Sequence, residues 1–380
     1  MPSLPEVVLL LALGLIALLF QGAAIYLALL VPKVEGGGDP AATGPLPTVS
    51  VIVAARNEEE DLGPALDSLL AQEYPGLEIL VVDGRSTDRT REVARARGPR
   101  VKLVEEPPLP PGWVGKNWGC SLGAQAASGE LLLFTDADVV HRPGSVRSAV
   151  LHLLREHADL VTLIPRTETR GVWERVVLPF HIQMVLTYFR APRINRDTSR
   201  AAAATGQFLL TTRSAYARVG GHAAVREFVL EDVRLAQLYR AAGLKLRIGW
   251  APELLSTRMY RDRAEMFEGL LKNIHGTEYR LARQVGFLVG LVGFFWLPLG
   301  LLPFGLAVGS LPLVAMGALL WIALFGKHVG FTRAVKVPAG YGLLFPVAVG
   351  YYVLLVAASI RRGESDAPIE WKGRSYAVTR

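Results

Sequence analysis

Cysteine is almost missing from this chain. Among 380 residues only Cys120 carries a thiol, so no internal disulfide forms and the fold owes nothing to an oxidising compartment. Charged residues, at 20%, fall below the roughly 25% usual in soluble domains. Internal repeats are absent. No recognition-helix, zinc-finger or aromatic RNA-binding pattern accompanies the excess of seven basic over acidic side chains, which excludes nucleic acid as the expected partner. The first apolar run also lacks the Lys or Arg that opens a secretory signal; its start carries Glu6.

Apolar mass is what the chain has in plenty. Hydrophobic residues make up 51%, and the mean hydropathy is +0.31, so part of the surface is expected to face lipid. Residues 4–31 form one nearly uncharged run, longer than the roughly 20 residues a bilayer core needs, and residues 1–32 are read as an uncleaved membrane anchor. A Gly-, Pro- and Ala-rich linker follows over 33–47. The net positive charge suits an anionic membrane surface or an anionic ligand such as a nucleotide diphosphate.

From Thr48 short apolar strands alternate with amphipathic helices, the pattern of an α/β domain with a mainly parallel sheet, read here over 48–283. Strands are predicted at 49–55, 77–83, 101–106, 130–136 and 160–165. Helices are predicted at 58–72, 87–96 and 231–243, the last stopped by Gly243. Residues 172–190 are apolar but hold Glu174, Arg175, His181 and Gln183, which places them at a membrane interface or in the core. Residues 284–362 read as C-terminal membrane segments, with a basic tail over 363–380. An even number of C-terminal crossings satisfies the positive-inside tendency, because it keeps Arg361, Arg362 and the tail on the domain's side. On this reading 287–325, broken by Pro298, Pro303 and Pro312, gives one span plus a re-entrant piece, and 338–360 gives another span.

Two acidic pairs stand at the ends of apolar runs. Asp136-Ala137-Asp138 follows LLLFT, where side chains at the carboxyl end of a parallel strand face the ligand crevice; hard oxygens there suit Mg2+ or Mn2+, although an acidic turn capping a helix has the same spelling. Glu231-Asp232 follows FVL and opens a helix, where the macrodipole alone favours acids. Lys116 sits in the Gly-flanked loop GWVGKNWG, from which an ammonium can reach phosphates, with Asn117 beside it. Asp88 reads as a helix cap, and Cys120 as packing.

Taken in order, VSVIVAARNEE, VVDGRSTD, GWVGKNWG, FTDAD and VLEDVRLA resemble the family 2 inverting glycosyltransferases of the GT-A fold, over roughly residues 48–280. GWVGKNW, the run 195–232 and Trp371-Lys372-Gly373-Arg374 look most like membrane enzymes described as carotenoid or hopanoid-associated glycosyltransferases. The resemblance implies a nucleotide-diphosphate sugar donor, a UDP-sugar by preference, and a hydroxylated lipid acceptor. It implies a multi-pass protein of the cell (inner) membrane with a cytoplasmic catalytic domain. Ala54, Arg56, Glu58 and Asp83 would line the base pocket, and Lys116, Asn117 and His222 would approach the phosphates. Asp138 and Asp136 would hold the metal, Asp232 would be the general base, and Glu231 would orient the acceptor.

Further expectations follow from the same likeness. Gln207 and His222 mark acceptor-side loops, while Arg258 and Arg261 stand as diphosphate clamps where processive synthases carry a Gln-x-x-Arg-Trp motif absent here. Relatives usually read Asp-Asp-Gly-Ser-Thr-Asp where this chain has Gly84 in the second position, which leaves the base contact to Asp83 or to backbone amides. Stretches 172–189 and 266–271 are expected to form a slot for the lipid. A polyprenyl-phosphate glycosyltransferase and a non-catalytic nucleotide-sugar-binding membrane protein are the alternative readings.

Overall fold

The computed structural model describes residues 3–36, 45–276, 281–364, 369–371 and 374–376. The strands are β1 Val49–Ala55, β2 Leu77–Asp83, β3 Val101–Glu105, β4 Leu131–Thr135, β5 Val139–His141, β6 Leu160–Ile164, β7 Arg166–Thr167, β8 Leu209–Thr212, β9 Leu246–Trp250, β10 Leu255–Thr257, β11 Ile369–Trp371 and β12 Arg374–Tyr376. The helices are α1 Leu4–Leu29, α2 Leu62–Leu70, α3 Thr90–Arg95, α4 Gly115–Ala126, α5 Ser145–Arg155, α6 Val172–Tyr188, α7 Arg213–Arg218, α8 Glu231–Ala241, α9 Arg263–Gly276, α10 Leu281–Leu291, α11 Leu297–Ala307, α12 Leu311–Ala334 and α13 Phe345–Glu364. A π-helical turn, Val292–Trp296, joins α10 to α11, and a 3-10 turn, Ala339–Leu344, precedes α13.

Alternation along β1 explains the layers. Val49, Val51 and Val53 enter one core with Leu62, Leu66 and Val146, while Ile52 enters a second core with Cys120, Leu132 and Leu235. Both faces of the sheet are therefore covered, as parallel strands require. Seven strands run in the order β3-β2-β1-β4-β8-β6-β9, with β8 alone antiparallel to its neighbours. The order reverses between β1 and β4. In such sheets that switch point opens a crevice at the carboxyl ends of the strands, and here it is where Ala54 and Asp136 emerge. A small sheet, β5-β10-β7, lies beside the crevice.

The linker differs from expectation at its start. Pro32 and Val34 pair with Trp250 through backbone bonds of 2.8 and 2.9 Å, so the chain leaving α1 extends the sheet beside β9 because that edge strand has unmet backbone groups. Residues 37–44 of that linker lie outside the described residues, as do 365–368, 372–373 and 377–380 of the tail. Helix α8 ends as foreseen, with Gly243 at φ +74. Helix α6 is core and surface at once: Val177, Leu178 and Phe180 are buried, whereas Trp173, Val185 and Tyr188 are exposed.

Among the described residues four segments are long and apolar enough to cross a membrane: Leu4–Ala23, Leu281–Ala307, Leu311–Ala334 and Ala339–Gly363. The prolines do not divide the first C-terminal segment as expected. Pro298 directly follows the π-helical turn Val292–Trp296 and Pro303 is carried within α11, so both lie inside one continuous helical run, Leu281–Ala307. Residues 287–325 thus fall in two long helical segments, Leu281–Ala307 (α10, the π-helical turn and α11) and Leu311–Ala334 (α12), packed against each other and against α1. Lys336 pairs with Glu253 at 3.3 Å just before the last segment, and Arg362 pairs with Glu268 at 3.1 Å near its end, so both ends of it touch the α/β domain.

Candidate active site

Asp136 follows the last residue of β4, and the two-stranded pairing of β5 with β10 fixes the turn behind it. Through that pairing Thr257 comes to donate its hydroxyl to Asp138 Oδ2 at 2.8 Å. Withdrawal from water, reinforced by the neighbouring Asp136 charge, lifts the Asp138 carboxyl to about 7. On the facing side α4 presents Lys116 and α8 presents Glu231 and Asp232, each in a first turn. Lys116 Nζ lies 2.6 Å from Asp136 Oδ1 and 2.9 Å from Glu231 Oε1, which ties the two acidic pairs together. Burial opposes the ammonium, but Asp136, Glu231 and Asp232 outweigh it and hold Lys116 well above the ordinary lysine range.

Asp232 accepts backbone N–H bonds from Gly206 and Val233, both 2.7 Å. Desolvation first and Glu231 second raise its carboxyl to about 7. A Cβ at Gly206 would stand 2.5 Å from Lys116 Nζ and 3.3 Å from Glu231 Oε1, so a side chain there would push the ammonium from its place. The Gly206–Gln207 loop is in turn fastened to β4, where the Thr135 hydroxyl donates to the Gln207 carbonyl at 2.8 Å.

These groups line one cavity of about 520 Å3. Its far end is formed by Ala54, Arg56, Glu58, Gly84 and Glu106; its middle by Lys116, Asp136, Asp138, Gln207, Glu231 and Asp232; and its other wall by Ile182, Val185, Leu186, Phe189, Ile194 and Phe287. Arg258 and Arg261 also face it, each engaged by acids: Arg258 by Glu174 at 3.2 Å, Arg261 by Glu60 and Asp61 at 2.6 Å.

Several expected residues stand elsewhere. Asn117 is fully buried and gives its amide N–H groups to the carbonyls of Val225, Arg226 and Phe228, so it braces the approach to α8 and does not line the cavity. His222 is buried against Phe134 and bonded to Tyr216; desolvation lowers it to about 3, which leaves it neutral and unsuited to phosphate. Asp83 turns inward to the Ser86 N–H and to Arg91, away from the cavity. In the 266–271 stretch Met266, Leu270 and Leu271 are core, and the cavity is walled there by Lys272, Asn273 and Ile274. Asp88 caps locally, accepting from the Thr90 and Glu59 N–H groups. The residue overlooked in the sequence is Glu106, although it shares the signal used for Asp136, an acid at the carboxyl end of a parallel strand.

Comparison with known proteins agrees with this architecture. The Glycosyl transferase family 2 description matches residues 50–231. Over 344 residues, 87% of this chain and 89% of the relative, the sequence is 25% identical to the 4,4'-diaponeurosporenoate glycosyltransferase of Staphylococcus aureus (strain MRSA252). It is 27% identical to the protein of that name from Staphylococcus haemolyticus (strain JCSC1435) over 230 residues, covering 60% of this chain and 61% of that one. The fold is similar to that of the mannosyltransferase PcManGT from Pyrobaculum calidifontis, solved with GDP-Man and Mn2+, with a TM-score of 0.55 at 20% identity over 93% of this chain and 99% of that chain. The chain therefore carries a glycosyltransferase family 2 domain of the GT-A fold, flanked by apolar helices long enough to span a membrane.

Proposed function

We propose that this domain moves a sugar from a nucleotide-diphosphate donor to a hydroxylated, carotenoid-type lipid at the membrane, by a single displacement with inversion. One observation carries the reading: the cavity holding the acidic pairs is continuous with an apolar wall built by α6 and α10, which belong to the membrane-side core. A greasy acceptor reaches Asp232 along that wall without crossing water. The Staphylococcus relatives, named for action on a carotenoid-type acid, support a carotenoid-type acceptor.

In this mechanism the acceptor hydroxyl attacks the anomeric carbon as the bond to the diphosphate breaks, and its proton passes to Asp232. A carboxyl held near 7 and fixed by two backbone N–H groups is matched to that task. Lys116 stands ready to exchange its bond with Asp136 for the donor's phosphates, while Glu231 orients the acceptor. Arg56 and Glu58 hold the nucleoside end, Gln207 supports the sugar, and Arg258 with Arg261 bounds the diphosphate side.

Asp136 and Asp138 fit a divalent cation. Mg2+ and Mn2+ bind through one or two carboxylates completed by substrate phosphates and water, and the Asp138 carboxyl, raised by burial and then by its like-charged neighbour, gains from a cation. Such an ion would neutralise charge developing on the leaving diphosphate. The likeness to a mannosyltransferase solved with Mn2+ is in keeping with this.

The test is product formation by the detergent-purified protein, with UDP-sugars and divalent metal, on hydroxylated carotenoids. An acid-stable lipid glycoside is expected. An acid-labile sugar phosphoester on polyprenyl phosphate, or efficient transfer to water-soluble glycans with carotenoids ignored, would overturn the acceptor class.

A further inference from the structure

Beside the point where α1 hands the chain to the α/β domain, one short loop carries Arg190, Arg193, Arg196 and Arg200. It starts just after α6, passes through the 3-10 turn Ala191–Arg193 and is fastened at both its inner contacts. Leu186, Ala191 and Ile194 share a core with Val31, which stands two residues beyond α1. Asn195 exchanges bonds of 3.0 and 2.7 Å with the carbonyl and N–H of Ile248 in β9. The loop is therefore held at the domain end of a helix long enough to span a bilayer.

Arg190, Arg193 and Arg200, all exposed, line a second cavity of about 450 Å3 together with Tyr188, Phe189 and Ser199. Among the described residues none of these three guanidinium groups has an ion pair or a hydrogen bond. The loop's one acid, Asp197, is taken by Arg247 at 2.7 Å. Like charges gathered around one hollow repel each other, and an anion placed between them relieves that repulsion. The guanidinium fork matches phosphate oxygens in particular. Tyr188 and Phe189 also line the large cavity, so the hollow lies at the edge of its apolar wall.

We propose that this hollow binds the phosphate of an anionic membrane phospholipid such as phosphatidylglycerol. The three arginines reach into the headgroup layer, where anionic lipids attract basic residues next to a spanning helix. The exposed Val185 and Tyr188 beside them meet the upper part of the acyl chains. A lipid held there seats the apolar wall of the large cavity against the bilayer. The site stands apart from the donor and acceptor readings and needs neither. Inorganic phosphate offers the same oxygens without chains, and phosphatidylcholine cancels its phosphate charge with a choline, so these two identify the source of the anion.

The experiment is native mass spectrometry of the full-length protein released from uncharged detergent, titrated separately with phosphatidylglycerol, phosphatidylcholine and inorganic phosphate. Wild type is compared with the joint variant Arg190→Gln, Arg193→Gln, Arg200→Gln. Wild type is expected to retain phosphatidylglycerol about tenfold or more tightly than phosphatidylcholine, and to retain no inorganic phosphate. Each arginine lost is expected to weaken phosphatidylglycerol by about fivefold, and the joint variant by about a hundredfold. The melting temperature in detergent should not change, because none of the three side chains bonds to the described residues. Arg193→Gln alone, expected to bind about fivefold more weakly, carries the test if the joint variant does not fold. Equal retention of the two lipids by wild type, unchanged phosphatidylglycerol affinity in the variants, or inorganic phosphate bound as tightly as the lipid overturns the inference.

Discussion

Asp232 gathers two roles into one carboxyl, because the bonds that aim it also sit in a site that resists its charge. As a base it must be deprotonated, so kcat/KM is expected to rise with pH through about 7 and to fall below it. Asp232→Asn keeps the shape and removes the base; turnover should drop by about 10²–10⁴-fold while donor and metal affinity persist, and near wild-type turnover would refute the role. The stability sign is opposite. A carboxyl raised in the fold stabilises below its unfolded value, and that contribution is lost as pH rises through about 7, so the variant's melting temperature should fall less between pH 5 and 8.

Asp138 obeys the same logic toward a cation, for which a proton competes. Mn2+ should raise the melting temperature more at pH 8 than at pH 6, and Asp138→Ala should abolish the effect. Asn117 acts at one remove. Asn117→Ala removes the side-chain bonds to the Val225, Arg226 and Phe228 carbonyls, of which the first two keep the backbone N–H of Phe228 and Val114, so kcat should fall several-fold with little change in nucleotide affinity, together with a loss of about 1–3 kcal/mol of stability in chemical denaturation. Reduced UDP affinity with intact kcat would return Asn117 to the donor site.

At the scale of elements, the approach of α4 to the sheet sets where Lys116 ends up. A Cβ on Gly123 would stand 2.3 Å from Ile52 and 3.1 Å from Val82, side chains that leave the sheet on that face. Gly123→Ala should therefore cost about 1–3 kcal/mol by overpacking and lower activity by displacing the helix, both measurable in one preparation. A fully stable variant would show that the sheet yields there. The core strands were legible because their apolar alternation and abrupt acidic ends leave a local mark. Helix α6 was not, since a helix that touches the domain core on one side and membrane-side helices on the other has no single polar face to read.

The whole molecule turns on how its C-terminal helices close. Two of them, Leu281–Ala307 and Leu311–Ala334, form an antiparallel pair, and the third touches the domain at both ends through Lys336–Glu253 and Arg362–Glu268. Arg374 stands beside Glu106, and we propose an even number of crossings that keeps this tail on the domain's side. An impermeant maleimide applied to intact cells should label Ser310→Cys, in the turn between α11 and α12, and spare Ser375→Cys; the native Cys120 is buried and should not interfere. The reverse pattern would overturn this topology.

Composition and periodicity by themselves determined that the chain has an apolar N-terminal run, an α/β domain with a mainly parallel sheet, and two acidic pairs, one at a strand end and one opening a helix, because each of these is a property of neighbours along the backbone. Only tertiary structure decided which acids share a cavity, that Lys116 bridges them, that Asn117 and His222 serve packing, and that Glu106 stands where Gly84 leaves room. Those outcomes depend on residues up to 290 positions apart coming within hydrogen-bond distance. No local pattern encodes such a meeting. It is set by the order and twist of the sheet, and by the burial that makes an unpaired charge too costly to leave where the sequence alone would put it.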